Sequence, residues 1–313
     1  MNDSIEKYAQ RVTLKRLRER NYCTVPANMQ ERLPRFKNIA AVLWDIYGTI
    51  MEHSKGDMVS SDAKRQNYER AFGITAREFD LQDFLGGNPA ETLRQIYERE
   101  IAKTQQRKLR RGLRYPEVRI ERIWLRILKQ LEAKGYRPDR DGKVDLALAM
   151  KVAYFFDMAE QAKDLYPGVL QALEGVKKLG LRQGIISNSQ FYTPLALSIL
   201  LRRAGYRNDP LRHLFDRRLL FLSYRLGISK PNPAVFQAAR ERLSRMGIEP
   251  EQTIYIGNDN CNDMVPARQV GFKCVLFAGD RESLALRQDR MECIGFQPDG
   301  VIKALPDILD IVN

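Results

Sequence analysis

Four polar clusters stand where apolar runs end: Asp45, the pair Ser187–Asn188, Lys230, and the loop Asn258-Asp259-Asn260-Cys261-Asn262-Asp263. The first follows Ile39-Ala40-Ala41-Val42-Leu43-Trp44, an apolar run that stops at an acid with a turn glycine, Gly48, close behind. That spacing puts a carboxylate at the carboxyl end of a buried strand, where open α/β sheets bind ligands. The second sets a hydroxyl beside an amide after Ile185–Ile186. The third holds an ammonium between Gly227 and Pro233, in a segment stiffened by Pro231 and Pro233. The fourth offers two carboxylates among amides. Each also has an ordinary reading: a capping acid, a Ser-Asn-Ser turn, a surface lysine, a helix N-cap. Brought to one place, an acid, a hydroxyl, an ammonium and an acidic loop could act together on one bound group.

The intervening pattern supplies the means. Short apolar strands are expected at 39–44, Arg182 to Ser187, Leu219 to Ser223, Thr253 to Gly257 and Phe272 to Phe277, with helices from Gly168 to Lys178, from Thr193 to Arg203 and after Asn232–Pro233. Strands alternating with helical crossovers imply an α/β fold, a doubly wound, mostly parallel five-stranded Rossmann-like sheet. Its strands share one carboxyl edge, so the four clusters can converge. Between the first and second strands, residues 55–165 read as helix throughout. Asn88 and Pro89 open one segment, and Ile120, Ile123, Trp124, Ile127, Leu128 and Leu131 form one face of another that stops at Gly135. The expected organisation is a basic helical extension over 1–36, a first core part over 37–54, a helical cap over 55–165 and a second core part over 166–313.

These motifs, in this order, resemble those of the haloacid dehalogenase-like hydrolase superfamily: an Asp nucleophile after the first strand, a Ser or Thr after the second, a Lys before a helix and acids after the fourth. The resemblance spans residues 39–280, and the helical insert matches the superfamily's cap position. It implies Asp45 as nucleophile, forming an aspartyl-phosphate or aspartyl-ester intermediate. Ser187 would donate to a bound phosphoryl or carboxylate oxygen, while Asn188 would either help or orient its loop. Lys230 would neutralise charge on Asp45 and the transferred group, a task for a point charge. Tyr47, Gly48 and Thr49 would line the substrate. Mg²⁺ would be held by Asp45, the Tyr47 carbonyl, Asp259 and Asp263, with Asp263 alternatively fixing Lys230. Asn258 stands where relatives often carry an acid, so Asn258 and Asp259 remain alternatives for that ligand.

One position departs from the phosphatases of the superfamily, which carry a second Asp two residues after the nucleophile. Here it is Tyr47. With a reference pKa near 10, tyrosine is a poor general base at neutral pH. Loss of a positioned acid-base group costs on the order of 10²–10⁴ in rate. Asp-x-Tyr-Gly-Thr also looks like the first motif of L-2-haloacid dehalogenases, which displace halide with the Asp and need no metal. The expected function is a Mg²⁺-dependent phosphatase for a small anionic phosphorylated substrate. The alternatives are a metal-free 2-haloacid dehalogenase or a degenerate binding protein on the same fold. His53, soon after the first motif, could partly replace the missing acid-base group.

A net charge of +13, from 52 basic and 39 acidic residues, favours an anionic partner. Part of it lies in one cap stretch holding Lys103, Arg107, Lys108, Arg110, Arg111, Arg114, Arg119 and Arg122. This is either a solvated helical face or, through residues such as Arg114, a substrate contact. No nucleic-acid module is recognisable. Cys23, Cys261, Cys274 and Cys293 form no CxxC pattern and are expected to stay reduced, Cys261 as a packed thiol. No apolar signal segment or membrane span is read, so a cytoplasmic location is expected. The oligomeric state is not legible.

Overall fold

A computed structural model of the chain describes residues 4–19, 24–53, 61–138 and 142–312. Cys23, the expected beginning of the cap at residue 55 and the first three residues lie outside these. The described residues fall into two compact units.

The larger unit takes in Tyr22–Val59, Asp164–Ser189 and Leu197–Asn313. Its sheet has six parallel strands in the order β3-β2-β1-β4-β5-β6: β1 Ala41–Trp44, β2 Arg182–Ser187, β3 Leu220–Leu222, β4 Thr253–Gly257, β5 Lys273–Phe277 and β6 Gly300–Ile302. The five expected strands are present, and a three-residue sixth adds an edge. β1 is central and wholly buried, which is why its sequence is a continuous apolar run rather than an alternation. Trp44 lies level with Ile185 of β2 and Ile256 of β4, so the residues that follow all three strands emerge at one edge. The chain winds out from β1 to either side, which makes the β1/β4 border a topological switch point. The one polar atom of Trp44 is satisfied inside the sheet, where Nε1 donates to Gln183 Oε1 at 3.1 Å.

The smaller unit comprises the described residues of Met1–Asn21, Ser60–Lys163 and Gln190–Ala196. It is built from α1 Ile5–Arg18, α2 Ser61–Glu78, α3 Pro89–Leu109, α4 Ile120–Glu132 and α5 Leu146–Glu160, and none of the six strands lies in it. The Asn88 side chain caps α3 by accepting from Ala90 N at 3.1 Å. The expected face of α4 is buried from Ile120 to Leu131, and Gly135 (φ 101°) follows its end. Phe72, Tyr97, Trp124 and Phe156 pack edge-on and tilted, with ring centroids 4.5–6.4 Å apart. α1 belongs to this cluster of helices: Thr13 hydrogen-bonds the Tyr154 hydroxyl of α5, and the Arg16 guanidinium lies 4.7 Å from the Phe155 ring centroid. No helix among the described residues is long and apolar enough to cross a membrane.

Trp124 sits at the centre of the aromatic cluster with no exposed surface. Trp124→Ala is therefore expected to lower stability by about 3–5 kcal/mol, read as a fall in the urea midpoint.

Candidate active site

Every member of the constellation except Arg114 lies in the sheet-bearing unit, and its centre is the ammonium of Lys230. Lys230 Nζ donates to Asp45 Oδ1 at 2.8 Å and to Asp263 Oδ1 at 2.5 Å, with the Tyr255 hydroxyl at 3.0 Å and the Ile186 carbonyl at 3.4 Å. Asp45 is set by β1, whose ladder runs one rung further through Asp45 N donating to Ile256 O at 2.8 Å. Lys230 is set by Asn188: Lys230 N donates to Asn188 Oδ1 at 2.7 Å, and Asn188 Nδ2 donates back to Lys230 O at 3.0 Å. Both ends of the Asn188 amide are therefore committed to a backbone. Of its two expected roles, orienting the loop is the one its contacts serve. Ser187 ends β2 with its hydroxyl buried and without a hydrogen-bond partner. An unpaired buried hydroxyl is costly, and a substrate oxygen would satisfy it.

Lys230, Asp45 and Asp263 are each 5% exposed or less, so the balance of burial against pairing decides their charge. Burial works against the Lys230 ammonium, but Asp263 and Asp45 outweigh it and hold its pKa above the ordinary lysine value. Burial pushes the Asp263 carboxyl up; Lys230 pulls it back and Asp45 adds to the rise. Burial, with Asp263 and Asp45, also raises the Tyr255 phenol well above its usual range, so it stays a neutral hydroxyl. Sequence reasoning missed Tyr255. A tyrosine inside an apolar strand reads as core, and only its hydroxyl, 2.9 Å from Asp263 Oδ1 and 3.1 Å from the Ile186 carbonyl, shows its part.

The late loop is built around close approaches. A Cβ on Gly257 would lie 2.5 Å from Asp263 Oδ2, so only glycine lets that carboxylate fold back to accept from Asn258 N at 3.2 Å and Asp259 N at 3.1 Å. Gly48 (φ 85°) similarly admits the Asn258 amide, which a Cβ there would meet at 2.3 Å. Asn258 Nδ2 donates to Ser283 O at 2.6 Å, and its Oδ1 accepts from Thr49 Oγ1 at 3.3 Å. Gly48 and the fully buried Thr49 thus pack against Asn258 of the late loop. Tyr47 is half-buried, with its ring centroid 5.6 Å from that of His53.

Asp259 is engaged by its own loop and by Arg287. It caps the π-helical turn Asn260–Met264, its Oδ1 accepting from Cys261 N and Asn262 N at 2.9 Å each. Its Oδ2 accepts from Asn262 Nδ2 at 2.8 Å and from Arg287 Nε and Nη2 at 3.2 and 3.0 Å. Burial, then Asp263, raises its pKa against the pull of the Asn262 amide and Arg287. Phosphatases of this kind generally use Mg²⁺. The acids as arranged do not fit such an ion: Asp259 and Asp263 are saturated with donors. Asp45 Oδ2 is the single carboxylate oxygen of the three with no described donor. Among the described residues no cluster of three His, Cys, Asp or Glu side chains could hold a metal.

The cysteines depart from expectation. Cys261 and Cys293 form a disulfide, Cα–Cα 5.8 Å, that ties the late loop to the turn Met291–Cys293. Cys274 is free, and burial pushes its thiol up to about 12. Arg114 lies exposed in the helical unit, between α3 and α4. Part of the surrounding basic run is neutralised within that unit, as Lys103 pairs with Glu100 at 3.3 Å and Arg119 with Glu121 at 2.7 Å.

The family model for haloacid dehalogenase-like hydrolases matches residues 39–271, and the chain belongs to that family. Among curated proteins it is 25% identical to a glyceraldehyde 3-phosphate phosphatase of Methanopyrus kandleri, over 88% of this chain and 97% of that one. It is 29% identical to a phosphoglycolate phosphatase of Nitrosococcus oceani, over 52% of this chain and 63% of the other. A 33% identical match to haloacid dehalogenase-like hydrolase domain-containing protein 3 of Xenopus laevis covers 36% of this chain and 40% of the frog protein. Among solved structures, a 2-haloacid dehalogenase from Pseudomonas syringae superposes with a TM-score of 0.53 at 22% identity, over 87% of this chain and 97% of its own, which shows a shared fold.

Because the folded chain holds the Lys230 proton more tightly than an unfolded one, the stability this gives is complete below about pH 10.4 and is lost as pH rises through the folded value. Lys230→Met should remove that alkaline slope from urea-derived stabilities. It should also cost about 3–5 kcal/mol at neutral pH by leaving two buried carboxylates without their cation.

Proposed function

We propose that this hydrolase cleaves a small phosphorylated substrate through Asp45. The observation that carries the reading is the Asp45–Lys230–Asp263 centre, with one oxygen of Asp45 held on the ammonium and the other, Oδ2, without a donor among the described residues. That oxygen attacks phosphorus and the bond to the leaving oxygen breaks. Water then cleaves the aspartyl-phosphate, restoring the carboxylate and releasing phosphate. Lys230 holds Asp45 in orientation, and the unpaired Ser187 hydroxyl donates to a phosphoryl oxygen. The phosphatase names of the curated relatives support the substrate class. With Tyr47 in place of an acid-base carboxylate, substrates whose leaving oxygen is already a weak base, such as acyl phosphates, suit the site best. No step is assigned to Mg²⁺, because the acids that would bind it are otherwise engaged.

A second reading is supported by Tyr47 and by the neutral Asn258: displacement of halide from carbon by the same Asp45 oxygen, as in a 2-haloacid dehalogenase. Phosphate release from aryl, acyl and sugar phosphates, measured beside halide release from 2-haloacids, separates the two. Phosphate release that Asp45→Asn lowers by about 10³-fold or more is the expected result. Halide release alone would transfer the function to carbon chemistry, and identical behaviour of Asp45→Asn and wild type in both assays would leave a non-catalytic binding protein.

Within the phosphatase reading, His53→Gln tests whether the imidazole beside Tyr47 assists hydrolysis of the intermediate. The expected result is a loss of about 10-fold or more in kcat, with burst kinetics as the intermediate accumulates.

A further inference from the structure

The first acid of the late loop is met by a cation that the chain supplies itself. Arg287 sets two guanidinium nitrogens, 3.2 and 3.0 Å away, on Asp259 Oδ2. A guanidinium is charged at every working pH and matches a carboxylate's geometry. Arg287 is also held at φ 52°, a left-handed backbone that is unfavourable for a non-glycine residue. Something must hold it there, and a ladder of contacts to the loop does so. Ala285 N donates to Asn258 O at 3.0 Å and Asn260 N to Ala285 O at 2.9 Å, while Asn260 Nδ2 donates to Leu286 O at 3.1 Å. The Cys261–Cys293 bond closes the same strap six residues beyond Arg287. The neighbouring oxygens offer no alternative: Asn258 is uncharged and fixed on Ser283 and Thr49, and Asp263 is engaged on both oxygens.

We propose that Arg287 is the resident cation of this loop, occupying Asp259 in place of a divalent ion, and that the hydrolytic site operates without a bound metal. The inference rests on Asp45 as the nucleophile, since it leaves Lys230 as the described cation paired with that residue. Beyond Asp45 Oδ2, a divalent ion finds no second acid unless Arg287 releases Asp259, and Arg287 is fastened by the strap. An acid restored at position 258, with the guanidinium removed, gives back two anionic ligands to a hard cation.

The test is a titration of Mn²⁺ into the chelator-treated, full-length chain, followed by electron paramagnetic resonance, with substrate turnover measured in the same chelator. Wild type should show no saturable site up to millimolar Mn²⁺ and should keep its turnover in chelator, and Arg287→Lys should behave alike. Asn258→Asp combined with Arg287→Gln should gain a saturable site at least roughly tenfold tighter. The proposal is overturned if wild type binds Mn²⁺ at a site lost in Asp259→Asn, or if chelation abolishes turnover and Mg²⁺ restores it. The Mn²⁺ titration of wild type decides this even for a chain that proves inactive on every substrate. Failure of Asp45 as nucleophile shows separately, in the turnover of Asp45→Asn.

Discussion

A lysine ammonium buried between two carboxylates is the constraint on which the site depends. Water-free burial of these charges is unfavourable unless each is answered by another group. Lys230 satisfies that condition with oxygens from four places: Asp45 beyond β1, the Ile186 carbonyl of β2, the Tyr255 hydroxyl of β4 and Asp263 of the late loop. An ammonium has three protons to give, so the four acceptors share them, the Ile186 carbonyl at 3.4 Å being the most distant. The parallel register of β1, β2 and β4 brings them there, and the Asn188 amide fixes the lysine backbone from both sides. Asp45 is thereby held with one oxygen anchored and one presented.

The late loop gains its shape from backbone contacts more than from packing. Asp263 folds back onto two N–H groups, Asp259 caps its own turn, and the strap that follows β5 pairs with the loop through Ser283, Ala285 and Leu286 before the disulfide at Cys293. Such a loop resists rearrangement, because each displaced carboxylate would uncover a donor away from water. Its acids are thus fixed in structural employment.

What the sequence shows of this follows from range. Strands β1, β2, β4 and β5 are short apolar runs ended by turn or polar residues, and the clusters Asp45, Ser187 and Lys230 stand at positions that their ends dictate. β6 is only Gly300–Ile302, too short to stand out from a loop. The place of α1 against α5 depends on Thr13 and Tyr154, which are distant in sequence and carry no periodic sign of each other. Tyr255 is concealed by its strand, and its partners come from other segments. Arg287 is one arginine in a basic chain, and the sequence separation of 32 from Cys261 to Cys293 matches no metal or redox spacing. The alternatives Asn258 and Asp259 differ by one position in sequence but face opposite ways: Asn258 turns to Gly48 and Thr49, Asp259 to Arg287.

Tyr47 and Asn258 then take on a common meaning. Each stands where related phosphatases carry an acid, and each removes a negative charge from the region of Asp45. Losing the acid at 47 removes a proton relay; losing the one at 258 removes an anionic ligand for a cation. Either change alone would leave an unbalanced site, with a metal lacking its acid-base partner or a relay beside uncompensated acids. The two residues stand beside Asp45 Oδ2, the one carboxylate oxygen of Asp45, Asp259 and Asp263 with no donor among the described residues, backed by a lysine whose charge is held by pairing against burial. A site of that kind accelerates attack by orienting and partly desolvating one nucleophile rather than by moving protons. Its rate is then governed by how readily the group displaced from phosphorus or carbon departs as an anion.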